Sequence, residues 1–358
     1  MPSNDDPNGI YLITGDNGTG KTRALSRLAH QELTLIHSKS SNYDKVICLS
    51  GTVFEKFPKP QNEATENIKN GYYYFGYKAN NNMFSEITPF RMILSVLLND
   101  DVPIERAEYA ASLLNSIGFS SKFNVYFRWA RNNKNKDIGK LNSLQIDLLN
   151  LVESKNFLLK IKDPINSGIV LLNKITFYKG IDEFTVTELS SGERLFTLII
   201  LSLCFSIGQN SLILFDEPEN SMHPKWQEKV TRIICSIFKK FAKNSNLYIA
   251  THSPLVVSSI PNRVGFIRNF NTIEQDWHKN HFNGNNSDSI LKEHFGLLSA
   301  RSSDFILAFQ KCLTSMAMKD NEFNQNFANL MNIGVELDLS DPLYKAYNSM
   351  IKYAEDLK

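Results

Sequence analysis

The sequence predicts an α/β fold: a mixed sheet around one phosphate-loop helix, helices on both faces, an inserted helical lobe and a helical C-terminal extension. Three observations predict it. A short apolar run, a glycine-rich loop and an amphipathic stretch follow one another in residues 10–32. A second apolar run, LILF at 212–215, ends in Asp216 and Glu217. Apolar residues recur at three-to-four spacing between residues 80 and 162, and helical segments return beyond residue 289.

The first of these carries the most chemistry. IYLITGDNGTGKTR, residues 10–23, places Gly15, Asp16, Asn17, Gly18, Thr19, Gly20, Lys21, Thr22 and Arg23 between a strand and a helix that runs to about residue 35. G-x-x-x-x-G-K-[ST] in that context is a phosphate-binding loop. Glycines open backbone conformations closed to residues with a Cβ, so successive N–H groups can point inward as a nest for phosphate oxygens. The positive end of the following helix adds to the attraction. Lys21 is expected to reach the β- and γ-phosphates of ATP, and Thr22 to hold Mg2+.

Further elements follow in order. KVICLS at 45–50 reads as a second buried strand, 55–70 as loop, and GYYYFGY at 71–77 as an aromatic strand packed on a sheet. Residues 90–98, 104–117 and 141–157 read as helices. Between the last two, KFNVYFRWARNNKNKDIGK (122–140) interleaves Lys and Arg with aromatics. Two readings stay open there: a strand pair with a lysine-rich turn, or a surface for nucleic acid or a partner. Residues 169–178, 184–186, 247–250 and 264–268 return to strand patterns, and 289–295, 305–318 and 341–357 to helix. The expected organisation is an ATPase head in two parts, 1–80 and 166–275, a helical insert lobe at 81–165 and a helical extension at 276–358.

Composition sets bounds on function. The 358 residues carry a formal charge of +2, so no overall field announces nucleic acid. Four scattered cysteines, with no metal spacing, are expected as reduced core residues of a cytoplasmic protein. Residues 1–9 are polar and acidic, without a signal pattern. The longest apolar run, 195–207, is too short for a bilayer and is expected as a buried helix; no membrane partner is expected.

The downstream motifs extend the chemistry. Asp216 after its apolar strand suits a Walker B element that helps hold Mg2+, with Glu217 orienting or deprotonating the attacking water. Ser190, Ser191, Gly192 and Glu193 precede an apolar helix and make a second anion-facing helix start. One chain then carries two half-sites. A two-fold homodimer, in which each half completes the partner's, resolves this, with a higher oligomer left open. His252, in ATHSP after strand LYIA, is placed to contact the γ-phosphate and water.

GDNGTGKT, LSSGE, LILFDEPENSMHP and ATHSP together resemble the ABC-type ATPase superfamily, and within it the branch holding SMC, RecF and OLD-like ATPases. DEPENSMHP is the most specific string. Residues 289–296 resemble a segment of stand-alone antiphage-defence ATPases, such as those of Septu and some retron systems. The resemblance implies that Ser191 and Gly192 engage ATP across the dimer, and that residues 220–223 carry information between the two sites. Gln61 falls in the interval where a glutamine loop belongs. No long arm is present as in SMC proteins. Asp338, Asp341 and Glu355 read as solvated rather than as a nuclease centre, so nuclease chemistry is expected in a separate effector. The favoured function is an ATP-hydrolysing dimeric switch that gates such an effector in phage defence. The alternatives are a DNA-end or repair ATPase and, ranked last, a transporter nucleotide-binding subunit.

Overall fold

The computed structural model describes residues 8–60, 64–78, 83–130, 143–272, 276–295, 301–339 and 341–357. They form two compact units, Met1–Asn285 and Asn286–Lys358.

The first unit begins with β1 (Ile10–Thr14), α1 (Lys21–His37), β2 (Lys45–Ser50), α2 (Ala64–Lys69), β3 (Tyr72–Phe75), α3 (Thr88–Asn99) and α4 (Ile104–Ser116). It continues through β4 (Lys122–Trp129), β5 (Ser143–Asp147), α5 (Leu151–Leu159), α6 (Lys162–Asn166), β6 (Val170–Lys179), β7 (Asp182–Thr185) and α7 (Ser191–Ser206). It closes with β8 (Ser211–Asp216), α8 (Pro224–Phe241), β9 (Asn246–Ala250), α9 (Pro254–Ser259), β10 (Gly265–Asn269) and β11 (His278–Lys279).

Seven strands make the main sheet, in the order β11-β10-β1-β9-β8-β2-β3. All pairs are parallel except β10–β11 at one edge. Parallel strands are covered on both faces, which is why β1, β8 and β9 are buried at every position and read as unbroken apolar runs. Because they run the same way, every loop at their carboxyl ends opens on one edge of the sheet. Register holds those ends level: Ile13 and Asp216 both pair with Ala250, and Ser50 pairs with Asp216. One face is covered by α1, which lays Leu25, Leu28 and Ala29 against a core of Tyr11, Val46, Cys48, Leu214 and Tyr248. Residues 195–206 of α7 are all buried, as expected for that apolar run. No helix of the described residues is long and apolar enough to cross a membrane. Cys48, Cys204 and Cys312 are buried and all four thiols are free.

The interval expected as a helical lobe, 81–165, is only partly helical. A four-stranded antiparallel sheet, β5-β4-β6-β7, runs through it. Residues 143–147, expected as the start of a helix, form β5, which pairs with β4 from Lys122↔Asp147 to Tyr126↔Ser143. The helical reading failed because SLQID carries apolar residues two apart, and a partner strand 20 residues earlier satisfies its backbone. In β4, Phe123, Val125 and Phe127 point into the core while Lys122, Arg128 and Trp129 are exposed. The strand-pair reading of this stretch therefore holds for residues 122–129; its lysine-rich continuation, 131–142, lies outside the described residues. So does Gln61. The exposed side of the small sheet is knitted by Glu183, which accepts hydrogen bonds from Asn124 Nδ2 at 3.0 Å, Tyr126 OH at 2.9 Å and Thr176 Oγ1.

The second unit contains α10 (Ser287–Glu293), α11 (Ser303–Met318), α12 (Phe323–Asn332) and α13 (Tyr344–Asp356). Its core is Phe305, Phe309, Cys312, Phe323, Leu330, Met350 and Ala354. Helix α12 was not expected; Phe323, Phe327, Leu330 and Met331 supply its apolar stripe. Asp341 is not simply solvated: Arg301 Nη2 donates to both its carboxylate oxygens at 2.6 Å. Bidentate pairing of this kind fixes the chain entering α13.

Candidate functional site

The carboxyl ends of β1, β8 and β9 bring the predicted residues together. The loop after β1 takes left-handed backbone at Gly15 (φ 137°), Gly18 (φ 86°) and Gly20 (φ 101°). At Gly18 and Gly20 a Cβ would meet nothing within 4 Å, so backbone conformation, not crowding, demands glycine there. Asp16, Asn17 and Gly18 are exposed, and Thr19 Oγ1 donates to Asp16 O at 2.9 Å. Arg23 lies exposed one turn into α1. Lys21 folds back over the loop. Its Nζ donates to Gly15 O and Asp16 O, each at 2.9 Å, and lies 3.4 Å from His252 Nδ1. Burial pulls its ammonium below the ordinary range, while Glu217 and Asp216 pull the other way. The carbonyls it holds stand where a stronger anionic partner would displace them.

Thr22 Oγ1 donates to Asp216 Oδ1 at 3.1 Å. The other oxygen, Asp216 Oδ2, is shut from solvent with no hydrogen-bond partner. A buried half-satisfied carboxylate beside a threonine hydroxyl is a hard-oxygen donor set, and it fits Mg2+. Burial pushes the Asp216 carboxyl up to about 7. The stability consequence has a definite sign. Its ordinary value is 3.8, so on raising the pH the unfolded chain loses this proton first. Stability then falls between about pH 4 and pH 7 and is level above. Asp216→Asn, which keeps the acceptor for Thr22, is expected to stabilise the nucleotide-free chain by up to about 4 kcal/mol at pH 8 and by nothing near pH 4. Thermal unfolding of both chains across that range checks it.

Glu217 sits at φ 52°, a left-handed conformation that costs a non-glycine residue energy. Two contacts hold it there. Its N–H donates to Ala250 O at 2.9 Å, and Oε1 lies 3.4 Å from His252 Nε2. That contact with His252 holds the Glu217 carboxyl below its ordinary value. The histidine is aimed in turn by Glu219, a buried carboxylate. Glu219 Oε1 accepts from His252 N at 2.7 Å and from Thr251 Oγ1 at 2.6 Å. Ser253 Oγ donates to Gln227 Oε1 of α8 at 2.7 Å, pinning the far side of the loop.

Ser190 caps α7. Its Oγ accepts from Glu193 N at 3.4 Å, and Glu193 Oε2 accepts from Ser190 N at 3.1 Å. Burial works against the Glu193 charge, but hydrogen bonds from Lys179 and Ser190 outweigh it and hold the carboxyl low. Gly192 is buried, and a Cβ there would touch the Trp226 ring at 3.4 Å. Ser190 and Ser191 are exposed. Ser191 Oγ donates to Ser221 O at 3.0 Å, tying α7 to the loop after Glu217. Among the described residues no hydrogen bond or ion pair joins residues 190–193 to residues 15–23.

A cavity of about 200 Å3 is lined by Asn17, Gly18, Gly20, Lys21, Thr22, Arg23, Glu217 and His252. Phe54, 78 % exposed, and Lys56 complete its rim. Sequence reasoning missed these two, and three others. Asn271, after β10, accepts from Asp16 N at 2.8 Å and braces the phosphate loop. Glu219 lay inside a quoted motif without a role. Gly51 bore only the mark of a glycine after a strand. Among the described residues no group of three or more His, Cys, Asp or Glu is placed to hold a metal by itself.

Strand order and these loop ends decide the architecture. The fold is that of an ABC-type P-loop NTPase. Residues 96–258 match the family described as "AAA domain, putative AbiEii toxin, Type IV TA system". Protein ea59 of Escherichia phage lambda is 23% identical over 277 residues, 73% of this chain. The chain spans about half the length of that relative, 48%. Among solved structures, cbiO1 from Clostridium perfringens, part of the ABC transporter complex cbiONQ, aligns at TM-score 0.36 and 12% identity, over 81% of this chain and 82% of that one. An SMC head bound to the C-terminal winged-helix domain of ScpA aligns at 0.32 and 12%, over 73% and 86%.

Proposed function

We propose that this chain binds ATP with Mg2+, hydrolyses it and works as a homodimeric switch that gates a separate effector, a nuclease, in prokaryotic antiphage defence. The observation that carries the enzymatic part is the convergence of Lys21, Thr22, Glu217 and His252 on one cavity at the carboxyl edge of the sheet, with Asp216 buried behind it on Thr22. Lys21 leaves the loop carbonyls for the β- and γ-phosphates, and the N–H groups of residues 15–22 receive their oxygens. Thr22 Oγ1 and Asp216 would hold Mg2+, which would supply charge neutralisation at the phosphates. Glu217 accepts the proton of the attacking water, and His252 keeps that carboxylate oriented.

The dimer reading is supported by the exposed Ser190 and Ser191, which no described contact links to their own phosphate loop. They are free to meet a triphosphate on a second copy. The defence reading is supported by the toxin description of the matching family and by the resemblance of residues 289–296 to defence ATPases.

Phosphate release by mixed variants tests the composite site. Lys21→Ala and Ser191→Arg are each expected to be inactive alone. Mixed in equal amounts, half the dimers pair one of each, and one of their two sites is intact. The ceiling is about a quarter of the parental rate. Full activity from Ser191→Arg alone contradicts the placement.

A further inference from the structure

A second cavity, of about 240 Å3, shares no lining residue with the nucleotide cavity. It lies between α3, α6 and the start of β6, and its polar lining includes Arg91, Ser95, Asn166 and Ser167. No Asp or Glu lines it. Arg91 stands in the first turn of α3. Its Nε is shut from solvent and has no hydrogen-bond partner, and among the described residues no ion pair reaches its guanidinium. Thr88 Oγ1, one turn earlier, is likewise buried without a partner. Gly168 borders the same space at φ 68°, and a Cβ on it would meet nothing within 4 Å.

A second guanidinium is close. Arg128 of β4 is in register with Leu171 of β6, itself a lining residue. Burial lowers the Arg91 guanidinium and the Arg128 charge lowers it further, so the two feel one another as like charges. Among the described residues neither has a carboxylate partner. Other arginines of the described chain show how such groups are ordinarily settled: Arg194 pairs with Glu86 at 2.5 Å, and Arg301 with Asp341. Arg91 is half-buried with its Nε shut from water and unpartnered, and Arg128 is exposed beside it, so an oxyanion entering this acid-free cavity meets an unsatisfied donor and two positive charges. The planar fork of Arg suits oxyanions, phosphate above all.

We infer that the cavity bordered by Arg91, Ser95, Asn166 and Ser167, with Arg128 beside it, is a binding site for a phosphoryl group, separate from the phosphate loop. The hydroxyl and amide groups set the rest of the lining for a polar ligand, and the volume, slightly larger than that of the nucleotide cavity, admits a phosphoryl group together with attached atoms. The group can come from a small phosphorylated molecule or from a single phosphate of a nucleic-acid backbone.

The test is direct binding, so it stands or falls apart from ATP turnover. Inorganic phosphate is titrated calorimetrically into the full chain carrying Lys21→Ala, which disables the phosphate loop as a competitor. One saturable site is expected. Adding Arg91→Gln weakens it at least tenfold, and Arg91→Lys recovers only part, because an ammonium lacks the fork. Should the Arg91→Gln chain fail to fold by circular dichroism, Arg128→Gln on the exposed strand carries the test, with a several-fold loss. A thymidine oligonucleotide forms the second arm. Binding that is tighter than that of phosphate and depends on Arg91 assigns the site to a nucleic-acid backbone; binding of phosphate alone assigns it to a small molecule. No saturable binding of either probe, or binding indifferent to both arginines, overturns the inference.

Discussion

Glu217→Gln is expected to hold ATP while releasing phosphate at less than about one-hundredth of the parental rate. The side chain keeps its length, and its oxygen can still face His252, so the geometry of the cavity survives. What it loses is the ability to accept a proton. General-base catalysis contributes on the order of 10²–10⁴ in rate, and no other carboxylate can take over. Asp216 is buried against Thr22, and Glu219 is buried with Oε1 taken up by Thr251 Oγ1 and the His252 N–H. With hydrolysis blocked, the nucleotide-closed dimer should accumulate. Size-exclusion chromatography with and without ATP, beside a phosphate-release assay, measures both effects. Parental turnover by this variant removes Glu217 from the chemistry.

Gly51→Ala should do comparable damage from outside the cavity. A Cβ on Gly51 would lie 2.0 Å from Glu217 O and 3.0 Å from its carbonyl carbon. Both are backbone atoms, so no side chain can swing aside. Gly51 is also hydrogen-bonded in both directions: its N–H donates to Asp216 O at 2.8 Å, and its carbonyl accepts from Asn220 Nδ2 at 2.9 Å. An added methyl group must therefore push the peptide of Glu217 and loosen the loop that follows. Overpacking of this kind costs about 1–3 kcal/mol in stability. If Glu217 is the base proposed above, a displacement near 1 Å at its carboxylate costs on the order of 100-fold in rate. Gly208→Ala is the control. Its Cβ would meet nothing closer than Lys45 Nζ at 3.9 Å, and its stability should stay within about 0.5 kcal/mol of the parent. Equal loss of activity in both variants would mean that crowding at Glu217 is not the cause.

The contrast between these two positions shows what was legible. Glu217 could be read from its neighbours in the chain, because an apolar run ending in paired acids states its own chemistry. Gly51 could not, because the atom it must avoid lies 166 residues away. The small antiparallel sheet was missed for a similar reason. Residues 143–147 carry only a weak alternation, and their strand state depends on β4 across a long connection. Asn271 and Glu219 belong with Gly51. Each acts on a loop distant in sequence, and nothing in its own surroundings announces the contact.

By itself the sequence determined the phosphate loop, the Asp216–Glu217 strand end, the capped start of α7 and the histidine turn, since each is a local pattern whose chemistry depends on adjacent residues. Only the tertiary structure decided that the phosphate loop, the Asp216–Glu217 strand end and the histidine turn meet, while the start of α7 stands apart from them. Strand order puts β9 between β1 and β8, which sets His252 between Lys21 and Glu217. Parallel pairing brings all their loops to one edge, while α7 presents Ser190 and Ser191 outward. The physical reason is that a motif fixes what a side chain can do, whereas long-range pairing fixes where it does it.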